Sequence, residues 1–186
     1  MNRPLILSIA CAAALVAGCS TSGNAVRSEP TYEEAASSPF LAANRGAIQR
    51  MVAEFDRRMA GADAPVLVAT VVNVNDLSRS TPLGRTLSEQ YASQLVASGF
   101  NVKELKLRGD VFVKEGTGEL MLSREIKDIA RSHRAALVLV GTYSPAATMT
   151  FISLKLVRTE DGQIIRSQDY ALPNDRDVMR LLQPPR

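Results

Sequence analysis

The fold of this chain is decided by the stretch Pro65-Val66-Leu67-Val68-Ala69-Thr70-Val71-Val72-Asn73-Val74. Most of its residues are β-branched or aliphatic, and apolar residues hardly alternate with polar ones. A strand that is covered on both faces has this pattern, because neither row of its side chains meets water. The residues from Ala135 to Tyr143 repeat the pattern in Leu137-Val138-Leu139-Val140-Gly141. The sequence therefore predicts a central strand at the first stretch and a second buried strand at the other.

Helical patterns lie on either side of the first strand. The earlier helix has Asn44 as its candidate N-cap and Gly61 as its candidate end. Between them, apolar residues recur at helical spacing and form a single stripe that we expect to face the core. The stripe consists of Ile48, Met51, Val52, Phe55 and Met59. The later helix begins at Thr81-Pro82, where a cap residue precedes proline at the first helical position, and it ends at Gly99.

The middle of the chain predicts two strands and a third helix. The strands run from Phe100 to Leu107 and from Asp110 to Lys114, where apolar and polar residues alternate. The helix runs from Arg124 to about His133, and Ser123 is a suitable cap for its start. The residues expected to face inward from this helix are Ile126, Ile129 and Ala130.

The last third of the chain predicts a hairpin and a short helix. Thr148 to Arg158 and Gln163 to Leu172 alternate apolar and polar residues across the turn Asp161-Gly162, as in an antiparallel pair with one wet face. A short helix follows between Asn174 and Gln183. The sum is an α/β fold, with a mixed sheet packed with helices, ending in an antiparallel hairpin and a short C-terminal helix.

The N-terminus has the pattern of a bacterial lipoprotein signal, in which a basic start and an apolar run precede small residues and a cysteine, here Leu15-Val16-Ala17-Gly18-Cys19. The apolar run from Leu5 to Val16 is far shorter than the ~20 residues that span a bilayer. We therefore predict a signal peptide over residues 1–18, cleavage by signal peptidase II between Gly18 and Cys19, and lipidation of Cys19. Several acyl chains, such as palmitate, together hold a protein stably on a membrane.

The segment after the cysteine connects the lipid to the folded domain. Residues 19–42 are rich in small and polar residues without sustained periodicity, so they predict a flexible, lipid-anchored tether. Ser20 follows the cysteine, whereas lipoproteins with Asp there resemble the class retained in the inner membrane. We therefore expect the outer membrane, with the domain facing the periplasm. The α/β domain is predicted over residues 43–183, with its core over residues 64–182.

The composition excludes several classes of protein. Of the 186 residues, 46 % are hydrophobic, which is enough for one core. Loss of the signal peptide removes one of the 22 basic residues, Arg3, and none of the 19 acidic ones, a balance that gives no electrostatic case for nucleic acid. Cys11 leaves with the signal peptide and Cys19 carries lipid, so the exported domain keeps no thiol for a disulfide or a metal.

No catalytic or cofactor site is predicted. His133 is the only histidine, and its place near a helix end suits the helix dipole. No Gly-x-Ser-x-Gly motif accompanies it. Gly116-Thr117-Gly118 lacks the Gly-Lys-Ser/Thr of a phosphate-binding loop and indicates a turn. The basic group Lys103, Lys106 and Arg108 is interpreted as a solvated strand face. We therefore expect a protein without enzyme activity, metal, cofactor or small-molecule substrate.

An ordered series of short motifs runs through the domain, over about Ala64 to Leu182. After residues 65–74 come Leu83-Gly84-Arg85, Ser88-Glu89-Gln90, Gly99-Phe100, Leu107-Arg108, Gly118-Glu119, Leu122-Ser123-Arg124-Glu125, Val140-Gly141-Thr142-Tyr143 and Asp169-Tyr170. In this order they resemble the FlgO domain of flagellar outer-membrane lipoproteins. The ordered series is much more specific than any one tripeptide.

The resemblance implies a fold similar to the N-terminal domain of TolB and a role at the outer-membrane end of the flagellum, in support of motility. It brings no catalytic residues with it. The charged members of its motifs either pair with one another or form a surface for a partner, and their spacing does not decide between the two. These members are Arg85, Glu89, Arg124 and Glu125.

The resulting hypothesis is an outer-membrane lipoprotein that acts by protein–protein contact in the assembly or stability of the flagellum. The alternative is an envelope lipoprotein that regulates a cell-wall synthase or a secretion channel, because a lipid, a tether and an α/β domain would give the same sequence pattern. The expected partners are the outer membrane, through the N-terminal lipid, and flagellar or envelope proteins. A homo-oligomer of the chain is a further expected assembly.

Overall fold

A computed structural model describes residues 29–56, 64–77, 80–105 and 124–184, with the backbone alone for residues 124–127. The chain divides into two units, Met1–Ala35 and Ala36–Arg186.

The short helix α1 is Tyr32–Ala36. Its start is closed by a reciprocal pair of hydrogen bonds between Thr31 and Glu34. The Thr31 N–H donates to the Glu34 carboxylate at 2.8 Å, and the Glu34 N–H donates to the Thr31 hydroxyl at 3.2 Å. This capping box satisfies two backbone donors that a helix start leaves without partners.

The described strands form one mixed sheet in the second unit. They are β1 (Val66–Ala69), β2 (Val72–Asn73), β3 (Val102–Leu105), β4 (Leu137–Pro145), β5 (Met149–Arg158) and β6 (Ile164–Pro173). Their order is β3-β1-β4-β5-β6, and β2 pairs with β4. The pairs β1–β3, β1–β4 and β2–β4 are parallel, whereas β4–β5 and β5–β6 are antiparallel. The predicted mixed sheet and C-terminal hairpin are confirmed.

Helices cover both faces of this sheet, but unequally. They are α2 (Pro39–Val52), α3 (Pro82–Ala97), α4 (Arg124–Ser132) and α5 (Arg176–Leu182). The larger apolar core joins α2, α3 and α5 to one face of the sheet. On the opposite face, a smaller core lies beneath α4 and includes Ala130. As predicted, Ala130 and Ile129 face inward from α4.

The two central strands contribute to both cores. In β1, Val66 and Val68 face the larger core and Leu67 faces the smaller one. In β4, Leu139 faces the larger core and Val138 the smaller one. All four residues of β1 are buried, which explains why its sequence is apolar without alternation. The prediction of central, doubly covered strands is confirmed.

The position of α2 corrects one prediction. The helix begins at Pro39, so Asn44 is not its cap but a buried residue inside it, and residues 39–42 of the predicted tether are helical. Proline at the first turn is favoured because it supplies no N–H there. The helix ends at Val52 instead of Gly61, because Ala53 leaves the helical conformation with a ψ of 131°, and Glu54 follows with a positive φ of 57°. Gly61 itself lies outside the described residues.

Other predicted boundaries agree with the structure. The helix α3 ends next to Gly99, whose φ of 84° is the left-handed conformation of a helix stop. Gly162 has a φ of 81° in the turn of the β5–β6 hairpin. The short helix α5 begins after Asp175, whose carboxylate accepts hydrogen bonds from the Asp177 and Val178 N–H groups. The predicted strand at residues 110–114 and the cap at Ser123 lie outside the described residues.

Candidate interaction site

The start of α3 sits against an interruption in the first buried stretch. That stretch was predicted as one strand but forms β1 and β2, separated at Thr70 and Val71. The Val71 N–H donates to the Ser88 hydroxyl at 2.8 Å, and the Val71 carbonyl accepts from the Ser80 hydroxyl at 2.8 Å. The backbone groups of Val71 are therefore hydrogen-bonded by two serines, one before α3 and one inside it, and not by a neighbouring strand.

Gly84 allows this close approach. A Cβ atom at position 84 would lie 2.1 Å from the Val71 carbonyl oxygen and 2.4 Å from the Ser80 hydroxyl. The Ser88 hydroxyl also donates back to the Gly84 carbonyl at 2.8 Å. Gly84 and Ser88, which belong to two adjacent motifs in the sequence, thus serve one contact between helix and strand.

Thr81 occupies the predicted N-cap position of α3, followed by Pro82, but its side chain makes no capping bond. The Thr81 hydroxyl is buried without a hydrogen-bond partner among the described residues. Its N–H donates to the Tyr143 hydroxyl at 3.3 Å. The predicted position of the cap is confirmed, whereas the capping hydrogen bond of the Thr81 side chain is absent.

A cleft of about 300 Å³ opens where β1 stops pairing with β3. It lies at the carboxyl ends of these parallel strands, beside Thr70 and Leu105. Three charged side chains line it, namely Arg85, Glu89 and Glu104, and all three are exposed. The Arg85 guanidinium donates to the Ser80 carbonyl at 3.2 Å. The lining combines apolar atoms with these exposed charges and opens to solvent, so the cleft suits contact with a partner's surface better than enclosure of a small ligand.

Of the four charged motif residues, the structure describes the side chains of two, Arg85 and Glu89. Among the described residues, no ion pair joins Arg85 to Glu89. Glu89 also lines a second groove, between α2 and α3, together with Arg45. The side chains of Arg124 and Glu125 lie outside the described residues. Arg85 and Glu89 therefore stand on an exposed face of α3 between two clefts.

A chain of partly buried hydrogen bonds joins α2, α3 and β6. The Tyr91 hydroxyl bonds to the Tyr170 hydroxyl, which in turn donates to the Asn44 side-chain oxygen at 2.5 Å. The Asn44 amide donates to the Gln90 side-chain oxygen at 2.6 Å. The sequence analysis missed this network. A polar Asn44 four residues before Ile48, on the apolar stripe of α2, was the signal that pointed to it.

The buried tyrosines predict a loss of stability in alkali. Burial raises the pKa of Tyr91 well above its usual value, and the charge and hydrogen bond of Tyr170 add to the rise. Burial likewise raises the pKa of Tyr170. In the unfolded chain the two tyrosines ionise near pH 10, whereas in the folded protein they keep their protons. Their contribution to the free energy of unfolding is therefore complete below pH 10. Above pH 10 it is lost progressively, by about 1.4 kcal/mol per pH unit for each tyrosine.

Urea denaturation between pH 8 and pH 11.5 measures this effect. The Tyr170→Phe variant should show a shallower decline above about pH 10 than the wild type, since one of the two groups is gone. Tyr32, which is 97 % exposed, provides the matched control variant Tyr32→Phe. A wild-type decline that matches that of Tyr170→Phe would contradict the prediction.

The remaining predicted positions are dispersed. Lys103 and His133 are exposed, with 3.5 Å between the Lys103 Nζ and the His133 Nδ1. Gly18, Cys19 and the loop at 116–118 lie outside the described residues. In the part of the chain that is described, no three His, Cys, Asp or Glu side chains are grouped as metal ligands. No helix there is both long and apolar enough to cross a membrane.

The order of elements from α2 to α5 coincides with a known family. A model of the FlgO protein family matches residues 45–177, from inside α2 to the first residues of α5. The chain belongs to the FlgO family. The FlgO match includes the Gly84 contact, the two motifs on α3 and the hairpin, so the resemblance drawn from the sequence motifs is confirmed.

Solved structures are similar to this FlgO domain in fold. The LpoB C-terminal domain from Escherichia coli is 19 % identical with a TM-score of 0.49, and the match covers 72 % of this chain and 98 % of that one. The PelC dodecamer from Paraburkholderia phytofirmans is 18 % identical with a TM-score of 0.42, covering 62 % and 75 %. A lipoprotein from Neisseria meningitidis is 16 % identical with a TM-score of 0.42, covering 61 % and 83 %. No curated protein matches the chain.

Proposed function

We propose that this FlgO-family protein is an outer-membrane lipoprotein that acts by protein contact in the assembly or stability of the flagellum at its outer-membrane end, supporting motility. The match of the family model to residues 45–177 is the observation that carries the proposal. The protein acts as a structural component and not as an enzyme, a role supported by its membership of the FlgO family, from whose motifs no catalytic residue carries over to this chain.

The lipid is attached at Cys19 after removal of residues 1–18. The sequence Leu15-Val16-Ala17-Gly18-Cys19 and the short apolar run before it support this assignment. A lipid at Cys19 holds the domain in the periplasm, at the inner surface of the outer membrane. Anchoring confines the domain near its partners, which raises their effective concentration and compensates for weak individual contacts.

Co-purification with detergent-extracted flagellar basal bodies tests the proposal. The tagged wild-type protein is expected to be enriched with basal bodies, and Cys19→Ser is expected to lose this enrichment because it cannot be acylated. Cys11→Ser is the matched control, since Cys11 leaves with the signal peptide and its replacement should change nothing.

Two results would count against the proposal in different ways. If the wild type stays in the outer membrane but is absent from basal bodies, the flagellar role is wrong and regulation of another envelope machine is favoured. If Cys19→Ser fractionates with the outer membrane like the wild type, the lipid anchor is wrong.

A further inference from the structure

The tip of the β4–β5 hairpin is exposed and carries no charged residue of its own, and the exposed Asp175 follows the Asn174 that packs on it. No charged residue occurs between Arg134 and Lys155. Half of that run is buried, but Pro145 and residues 146–149 are exposed at the tip. Met149 is 42 % exposed and Phe151 is 54 % exposed. Large apolar side chains exposed together on a rigid projection mark a contact surface more often than isolated ones do.

The tip lies at the end of the sheet where the chain enters the folded unit. The helix α2 is antiparallel to β6, because Asn44 near its start bonds to Tyr170 and Phe55 beyond its end lies 5.8 Å from the Arg166 guanidinium. Pro39 precedes Asn44 by about 8 Å of helix. Pro173 follows Tyr170 by about 10 Å of strand. Pro173 pairs with Met149. The start of α2 and the hairpin tip therefore lie at the same end of the sheet.

Asn174 makes the tip rigid and satisfies its backbone. Its side-chain amide donates to the Ala146 carbonyl at 2.7 Å, and its N–H donates to the Thr148 carbonyl at 2.9 Å. The Ala146 N–H donates to the Met149 carbonyl at 2.8 Å. The buried Thr150 hydroxyl donates to the Asn174 side-chain oxygen at 2.7 Å. A turn whose polar backbone groups are paired internally loses less on entering an apolar environment than an open loop does.

We propose that this hairpin tip touches the lipid surface to which the N-terminal lipid anchors the domain, with Met149 and Phe151 entering the headgroup boundary. The proposal rests on the lipid anchor of the proposed function. A tip without charged residues of its own suits this contact, because a charged side chain is costly to bury among acyl chains.

The chain has no tryptophan, so a single Phe151→Trp substitution in the full acylated protein reports on the tip alone. The protein is reconstituted on vesicles of phosphatidylethanolamine and phosphatidylglycerol, with or without brominated phosphatidylcholine, which quenches tryptophan on contact. We expect brominated lipid to reduce the emission of Phe151→Trp about twofold, since interfacial side chains lie ~5–10 Å into the headgroup boundary.

Val96→Trp is the matched control. Val96 is 57 % exposed and lies near the end of α3, at the opposite end of the sheet from the tip. Its emission should be the same with both kinds of vesicle. Vesicle flotation of both variants establishes anchoring separately, and circular dichroism confirms that both fold.

The outcomes distinguish failure of the tip contact from failure of the lipid anchor at Cys19. If both variants float with the vesicles and Phe151→Trp is quenched no more than Val96→Trp, the tip does not touch lipid and the proposal is overturned while the anchor stands. If neither variant floats, the anchor itself fails and the tip contact fails with it. A tryptophan at position 151 that is shielded from iodide only in purified basal bodies would assign the tip to a protein contact instead.

Discussion

Replacing Gly84 by alanine is expected to lower the free energy of unfolding by about 2 kcal/mol. The new Cβ atom would lie 2.1 Å from the Val71 carbonyl oxygen, and a backbone atom cannot move aside as the end of a flexible side chain can. Crowding of this kind costs up to about 3 kcal/mol. The better helix propensity of alanine returns only about 1 kcal/mol. Separation of α3 from the strand would also stretch the bonds from Ser80 and Ser88 to Val71.

Urea denaturation of Gly84→Ala beside Gly46→Ala measures this difference. Gly46 lies in α2, and an added Cβ there would meet only the flexible end of Arg50, 3.1 Å away. Gly46→Ala should therefore be neutral or stabilise the protein by up to about 1 kcal/mol. Equal midpoints for the two variants would show that the contact between Gly84 and Val71 is looser than described.

Replacing Asn44 by alanine is expected to cost about 3 kcal/mol. Asn44 is 1 % exposed, and both ends of its side chain are bonded, one to Tyr170 and the other to Gln90. Its removal takes one partner each from the partly buried Tyr170 hydroxyl and Gln90 side chain, and a lost partner costs about 1–3 kcal/mol. Gln49→Ala is the matched control, because Gln49 is an exposed residue of the same helix. It should change stability by less than about 0.5 kcal/mol.

A double-mutant cycle identifies the cause of that loss. Tyr170→Phe removes the hydroxyl that donates to Asn44. If the network acts as one unit, Asn44→Ala and Tyr170→Phe together should cost about 1–2 kcal/mol less than the sum of the single variants. Additive losses would mean that Asn44 stabilises the domain through packing and not through the hydrogen-bond network.

Both predictions concern α3, which carries the exposed Arg85 and Glu89. The contact at Gly84 fixes the start of the helix on the sheet, and the Asn44 network fixes its middle to α2 and β6. An exposed face that contacts a partner has to be held in one orientation, since any freedom of the helix would be lost on binding. These buried contacts therefore support the proposed interaction surface without belonging to it.

The sequence predicted those structural features that depend on residues close together in the chain. The burial of β1 and β4 appears as apolar residues without alternation, and the β5–β6 hairpin appears as alternation around Asp161-Gly162. The end of α3 at Gly99 follows from the left-handed conformation that glycine adopts easily. The motif series was also sufficient to identify the FlgO family.

Local patterns misplaced features that depend on distant partners. Asn44 looked like a helix cap, but it bonds to Gln90, 46 positions away, and to Tyr170, 126 positions away. The stretch at 65–74 looked like one strand, but Ser88 takes the Val71 N–H out of the strand ladder. Propensity and periodicity carry no information about such partners.

The sequence alone therefore determined which segments are buried and where turns occur, because burial and turn chemistry act on neighbouring residues. It also determined to which family the chain belongs, through the ordered series of motifs. Tertiary structure decided where the strand is interrupted, how α2 and α3 are locked to β6, and that the uncharged hairpin tip shares one end of the domain with the start of α2. Those features arise from hydrogen bonds and contacts between residues far apart in the chain, and they exist only once the sheet has assembled.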